Sequence, residues 1–156
     1  MIDEPRSAAA LTWPFIEQAL ERLVRVAEEL APDGLSWRPT LSANSVASLV
    51  AHTLSNAEDN ICRTIGGEAI EYLRQLDFDA PPVHATDLRE RWDALRPRMA
   101  TQCAAISRAE ELALRRHPRR GSLTVAEILV VVARHSAEHL GQAELTRDLF
   151  LAPSSG

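Results

Sequence analysis

The sequence predicts an all-α protein, a four-helix bundle, on three observations. Four long segments each repeat apolar residues at helical spacing. No segment alternates apolar and polar residues as a half-buried strand would. Proline and glycine cluster between the helical segments and punctuate them. At 156 residues the chain suits one domain, residues 1–156, long enough to bury its own core. With 46% hydrophobic residues it is too apolar for a disordered chain.

The first helix is expected from Ser7 to Leu30, with Ile16, Leu20, Leu23, Ala27 and Leu30 on one stripe and Pro32-Asp33-Gly34 as its stop. Pro14 falls in its opening turns, where it is tolerated or causes a local kink. The second helix starts at Asn44 or Ser45, both good caps, and reaches Ile65 before Gly66-Gly67. Its stripe is Val46, Val50, Leu54, Ala57 and Ile61, and its apolar side chains spread over an arc broader than one small bundle covers, which favours self-association. Glu68–Leu76 reads as a short helix before Pro81-Pro82. The third long helix runs from a Thr86 cap to Ser107, with Leu88, Trp92, Leu95, Met99 and Cys103 inward and Pro97 expected to kink or split it. Thr124-x-x-Glu127 has the form of a capping box and opens the last helix, Val125–Leu151.

Composition excludes several functions. Acidic residues outnumber basic ones by 22 to 17, giving a net charge of −5, which disfavours a nucleic-acid partner. All 17 basic residues are Arg; without Lys there is no Schiff-base or P-loop chemistry. Cys62 and Cys103 form no C-x-x-C pair, so a reducing cytoplasm is the expected location. Asp3, Glu4 and Pro5 stand where a signal peptide would carry positive charge. No apolar run approaches the roughly 18 residues of a membrane span, so no membrane partner is expected.

The last helix holds the most informative motif. His135-Ser-Ala-Glu-His139 places two imidazoles on adjacent turns of one face, among Val125, Ile128, Val132, Ala143 and Phe150. Both should point into the bundle, where each needs a hydrogen-bond partner or a metal. H-x-x-x-H is a bidentate metal geometry, although the H-E-x-x-H of zinc proteases is absent. A third ligand must come from elsewhere: His52, His84 or His117. His117 lies among Arg115, Arg116, Arg119 and Arg120 in a loop that reads as solvated, and His84 lies in a proline-rich connection. His52 points away from its own helix's apolar stripe, on a face with Ser45, Ser48, Asn56, Asp59 and Arg63. That face is either solvated or lines a pocket; periodicity does not choose.

Taken in order, Leu35-Ser-Trp37-Arg-Pro39, then Asn44 through His52, then His135-Ser-Ala-Glu-His139-Leu-Gly-Gln142 resembles the DinB/YfiT-like superfamily across roughly residues 8–151. The resemblance implies a four-helix bundle of that type with a crossover connection, a homodimer, and a three-histidine site. Its metal ligands carry over as His52, His135 and His139, with zinc or nickel as the ion. It also implies either an enzyme, as a transferase using a low-molecular-weight thiol or a hydrolase acting on a small-molecule substrate, or a non-catalytic metal-binding or stress-related interaction protein. Around such a site Gln142 and Asn56 are candidates to orient a ligand. Glu58, Asp59 and Glu138 are candidates for a base, and Arg63 and Arg134 for cations at the mouth.

Overall fold

Ser7 opens the first helix, its hydroxyl accepting the Ala10 amide, and α1 runs Ala8–Glu28 without a break through Pro14. The structure is a computed structural model that describes residues 6–153; Asp3, Glu4 and Pro5 lie outside them. A short α2 (Pro32–Ser36) follows, with proline in its first turn. α3 (Val46–Glu58) is capped by Ser45, which accepts the Ser48 amide. It continues without interruption as a π-helical stretch, Asp59–Ile65. Next come α4 (Leu76–Asp79), α5 (Ala85–Ala105) and α6 (Arg108–Glu111). Strands β1 (Leu114–His117) and β2 (Gly121–Thr124) pair antiparallel, and α7 (Val125–Leu151) completes the chain behind the expected Thr124/Glu127 capping box.

The bundle is α1, α3, α5 and α7. α1 packs against α7 and α5, and α3 fills the space between the same two helices from the other side. All the expected inward residues of α1, α3 and α5 are buried, as are Val125, Ile128, Val132 and Ala143 of α7. Phe150 is partly buried, tilted against Trp37 with 5.7 Å between ring centroids. Among the described residues, no helix is long and apolar enough to cross a membrane.

Four local expectations are corrected. Residues 68–75 form no helix; the helical turn there is α4, from Leu76. α5 begins at Ala85 and passes unbroken through Pro97. The basic segment at 114–124 is a β-hairpin in the register Leu114↔Thr124 to His117↔Gly121. Gly121 closes its turn at φ +74°, a region costly for any side-chain-bearing residue. Finally, the broad apolar arc of α3, which the sequence offers as a reason for self-association, is covered within the chain itself.

Trp92 is the largest fully buried side chain, and its indole N–H donates to Glu21 Oε2 at 2.8 Å. Arg89 grips the same carboxylate at 3.0 Å and Glu28 at 2.8 Å. With Arg89 as the main cause, the Glu21 carboxyl is held down at about 2. Trp92→Ala removes the α1–α5 wedge and one donor to that carboxylate. It should cost about 3–5 kcal/mol in urea unfolding at pH 7.

Candidate metal centre

α3 is buried on every side from Val46 to Ala57, so its polar stripe cannot be a solvated face. The pocket alternative for His52 is the correct one: the residue is 3% exposed. The connection between α3 and α5 folds over it. Tyr72 from that connection places its hydroxyl 3.1 Å from His52 Nδ1, and the Phe78 ring of α4 lies 4.9 Å away between centroids. Asp77 approaches His52 Nδ1 at 3.8 Å and ties α4 to α3 by accepting the Ser55 hydroxyl at 2.8 Å.

Across from His52, α7 presents His135 and His139 on successive turns. Their Nε2 atoms are 3.0 Å apart. Gln142 Oε1 lies 2.8 Å from His139 Nδ1, and because that oxygen only accepts, Nδ1 carries the proton and Nε2 the lone pair. Tyr72 occupies Nδ1 of His52, leaving its Nε2 free. The His52 ring stands 5.1 and 5.3 Å from those of His135 and His139. One nitrogen from each histidine lies within 4.8 Å of the others, a group that could hold a metal ion.

The donor set fits a divalent ion. Nitrogens bound at about 2.0–2.1 Å to one ion lie about 2.9–3.4 Å apart for angles between right and tetrahedral, and the Nε2 pair meets that condition at 3.0 Å. His135 and His139 also resist protonation. Burial pushes His135 down to about 3, helped by the neighbouring His139 and His52. His139 is likewise lowered by burial, against a smaller opposing effect from Gln142. Neutral imidazole is the form that binds metal. His135 Nδ1 is buried with no hydrogen-bond partner among the described residues.

The DinB superfamily model matches residues 16–143. The chain belongs to the DinB superfamily. The crystal structure of a DinB-like protein from Bacillus cereus superposes with TM-score 0.72 at 13% identity, covering 95% of this chain and 94% of that one. A conserved protein from Enterococcus faecalis superposes with TM-score 0.73 at 15% identity, covering 93% and 98%. No curated protein matches the chain.

Around the histidines of this DinB-superfamily chain, the other sequence candidates fare unevenly. Gln142 holds the His139 ring by Nδ1, whereas Asn56 touches Asn60, whose amide donates to its backbone carbonyl at 2.8 Å. Asp59 pairs with Arg63, Glu58 with Arg98 at 2.9 Å, and Glu138 with Arg134 at 2.6 Å, so each proposed base is held by a cation. Arg63 and Arg134 are thereby spent, and Arg74, Arg119 and Arg120 line the cavity instead. His84 is exposed at the start of α5. His117 corrects the solvated-loop reading: it is 3% exposed, and its Nδ1 accepts the Arg119 and Arg120 amides, both at 3.1 Å. Burial raises the Cys62 and Cys103 thiols to about 11 and about 12, which suits core filling and not nucleophilic chemistry.

Sequence reading missed Tyr72, Asp77, Arg74, Arg119 and Arg120. They lie in the irregular connection and the hairpin turn, where no periodicity marks a facing direction.

The lowered histidines set a pH dependence for the metal-free protein. His135, His139 and His117 each bind a proton less readily folded than unfolded. Below the unfolded value of about 6.5 the unfolded chain takes up more protons, so stability falls as pH drops. For His135 the loss continues toward about pH 3. Urea midpoints of metal-free protein should decrease from pH 7.5 to pH 5; a midpoint that rises over that range contradicts the assignment.

Proposed function

We propose that this protein is a divalent-metal protein whose ligands are His52, His135 and His139, and that it acts as a metal-dependent enzyme. The observation that supports this best is the convergence of three imidazole nitrogens within 4.8 Å on the wall of an open cavity. When bound there, an ion of the zinc or nickel type lowers the pKa of a coordinated water or thiol. Tyr72 holds the ring of His52 by its outer nitrogen, and Gln142 does the same for His139, so both keep Nε2 turned toward the site. Cavity space of about 470 Å³ on one side of the histidines and about 390 Å³ on another admits a small-molecule substrate.

Between the two chemistries, a transferase using a low-molecular-weight thiol is favoured over a hydrolase. Glu58, Asp59 and Glu138 are each ion-paired, which removes those carboxylates as ready bases for water. A thiolate ligand needs less help from a base, and both cysteines of the chain are buried in the core, so the sulfur would arrive with a cosubstrate. If thiols do not bind, the same ion-pairing favours a metal-binding protein without chemistry of its own. A homodimer belongs to the same proposal; exposed Leu11 and Phe15 on α1 and Leu145 and Leu149 on α7 supply apolar surface that α3 does not. Sedimentation at micromolar concentration should give a dimer mass; a monomer contradicts it.

Protein purified without a histidine tag should hold one divalent ion per chain by elemental analysis. Tyr72→Phe and Gln142→Ala should weaken binding about 10–100-fold, as loss of an outer hydrogen bond does. His52→Ala, His135→Ala and His139→Ala should each weaken it more. Full affinity in His52→Ala would remove that residue from the ligand set. In the cobalt form, a low-molecular-weight thiol should shift the ligand-field spectrum, and the shift should vanish in His139→Ala. No shift with any thiol, despite full loading, overturns the transferase reading.

A further inference from the structure

The charge arrangement of the fold singles out one region. Arg22, Arg89, Arg96, Arg98 and Arg147 are each tied to carboxylates. Arg74, Arg119 and Arg120 have no carboxylate partner among the described residues, yet all three line the cavity of about 470 Å³ that also contains His52 and His135. Three guanidinium groups from two separate elements, Arg74 among them stacked over the Phe78 ring at 4.9 Å, give one cavity a local positive charge in a chain of net charge −5, which attracts an anion. Asp59, an acid of the adjoining groove, is already paired with Arg63.

We propose that this cavity binds the oxyanion end of a small-molecule substrate, a carboxylate or phosphate held by Arg74, Arg119 and Arg120, on a molecule that also carries a hydroxyl or amine donor. The guanidinium fork matches either oxyanion in bidentate fashion. The hairpin turn is preorganised for it. Because His117 Nδ1 accepts the Arg119 and Arg120 amides, that nitrogen carries the lone pair and Nε2 carries the proton, giving the cavity wall a further donor. The donor on the substrate is inferred from Asn60. That residue is 1% exposed, its amide is committed to Asn56, and its Oδ1 is an acceptor with no partner on a side chain that lines the cavity. A buried acceptor of this kind calls for a donor. The inference rests on the metal-site reading for where the reacting end of the substrate lies, toward His52 and His135, but the anion subsite is testable without metal.

Metal-free full-length protein titrated calorimetrically at low ionic strength with inorganic phosphate and with glycolate should bind at least one of them with Kd of about 1 mM or tighter. Tighter phosphate assigns a phosphate substrate, and tighter glycolate a hydroxy- or amino-carboxylate. The double variant Arg119→Gln/Arg120→Gln and, on a separate element, Arg74→Gln should each weaken binding at least about tenfold with unchanged thermal midpoints. His139→Ala should bind the anion as the parent does. Binding of neither anion at tens of millimolar, equal binding by the glutamine variants, or loss of binding in His139→Ala overturns the proposal. Zinc titration of the same preparation reads the metal site separately: anion binding without zinc binding would sink the metal reading alone.

Discussion

The structure turns on burying α3 around its whole circumference although one of its faces is polar. A helix enclosed in a bundle is ordinarily apolar all round, because each buried polar group without a partner costs on the order of 1–3 kcal/mol. Here Ser48, His52, Thr53, Ser55 and Asn56 are all enclosed. The fold meets most of that demand locally. Thr53 returns its hydroxyl to the Leu49 carbonyl at 2.6 Å, Ser55 donates to Asp77, and Asn60 reaches back to Asn56. His52 is satisfied on one nitrogen only, by Tyr72. Its other nitrogen faces α7, where His135 and His139 stand. The candidate metal centre lies where the polar side of this buried helix faces α7 and the rest of the chain leaves it a free imidazole nitrogen.

The irregular parts of the chain are what make that burial possible. The 66–84 connection covers the polar face of α3 with Tyr72, Asp77 and Phe78, and the hairpin packs its buried His117 against the π-helical extension. That extension lets Thr64 bond the Asp59 carbonyl five residues back, at 3.0 Å, and turns the last residues of the helix to a new phase. Electrostatics follow the same division. The outer faces of the bundle pair arginine with glutamate and aspartate, whereas the cavity keeps imidazoles together with guanidinium groups that have no carboxylate partner among the described residues. It is therefore suited to a cation at the histidines and an anion beside it.

Much of the bundle was legible in the sequence, because its helices obey periodicity and carry explicit stops. The last helix was bounded correctly at both ends, since Thr124 and Glu127 announce its start chemically. The stripe of α5 was correct to the residue because that helix has one wet side. His52 was ambiguous for the opposite reason: the polar face of α3 is covered by the irregular 66–84 connection, whose cover no periodicity announces, and the family resemblance supplied what spacing did not. The hairpin was illegible because its strands are four residues each and its exposed arginines mimic a solvated loop. Gly121, three residues after Pro118, was the available hint of a closing turn. The π-helical stretch left no mark at all, since Asp59–Ile65 has the composition of ordinary helix.

X-ray absorption at the zinc edge, on the zinc-loaded full-length protein without added thiol, reads the coordination shell itself. Three imidazole nitrogens at about 2.0–2.1 Å, completed by oxygen, are what His52, His135 and His139 should give. Sulfur at about 2.3 Å would bring Cys62 or Cys103 to the ion, and two imidazoles or fewer would leave His52 outside it; either result contradicts the three-histidine centre.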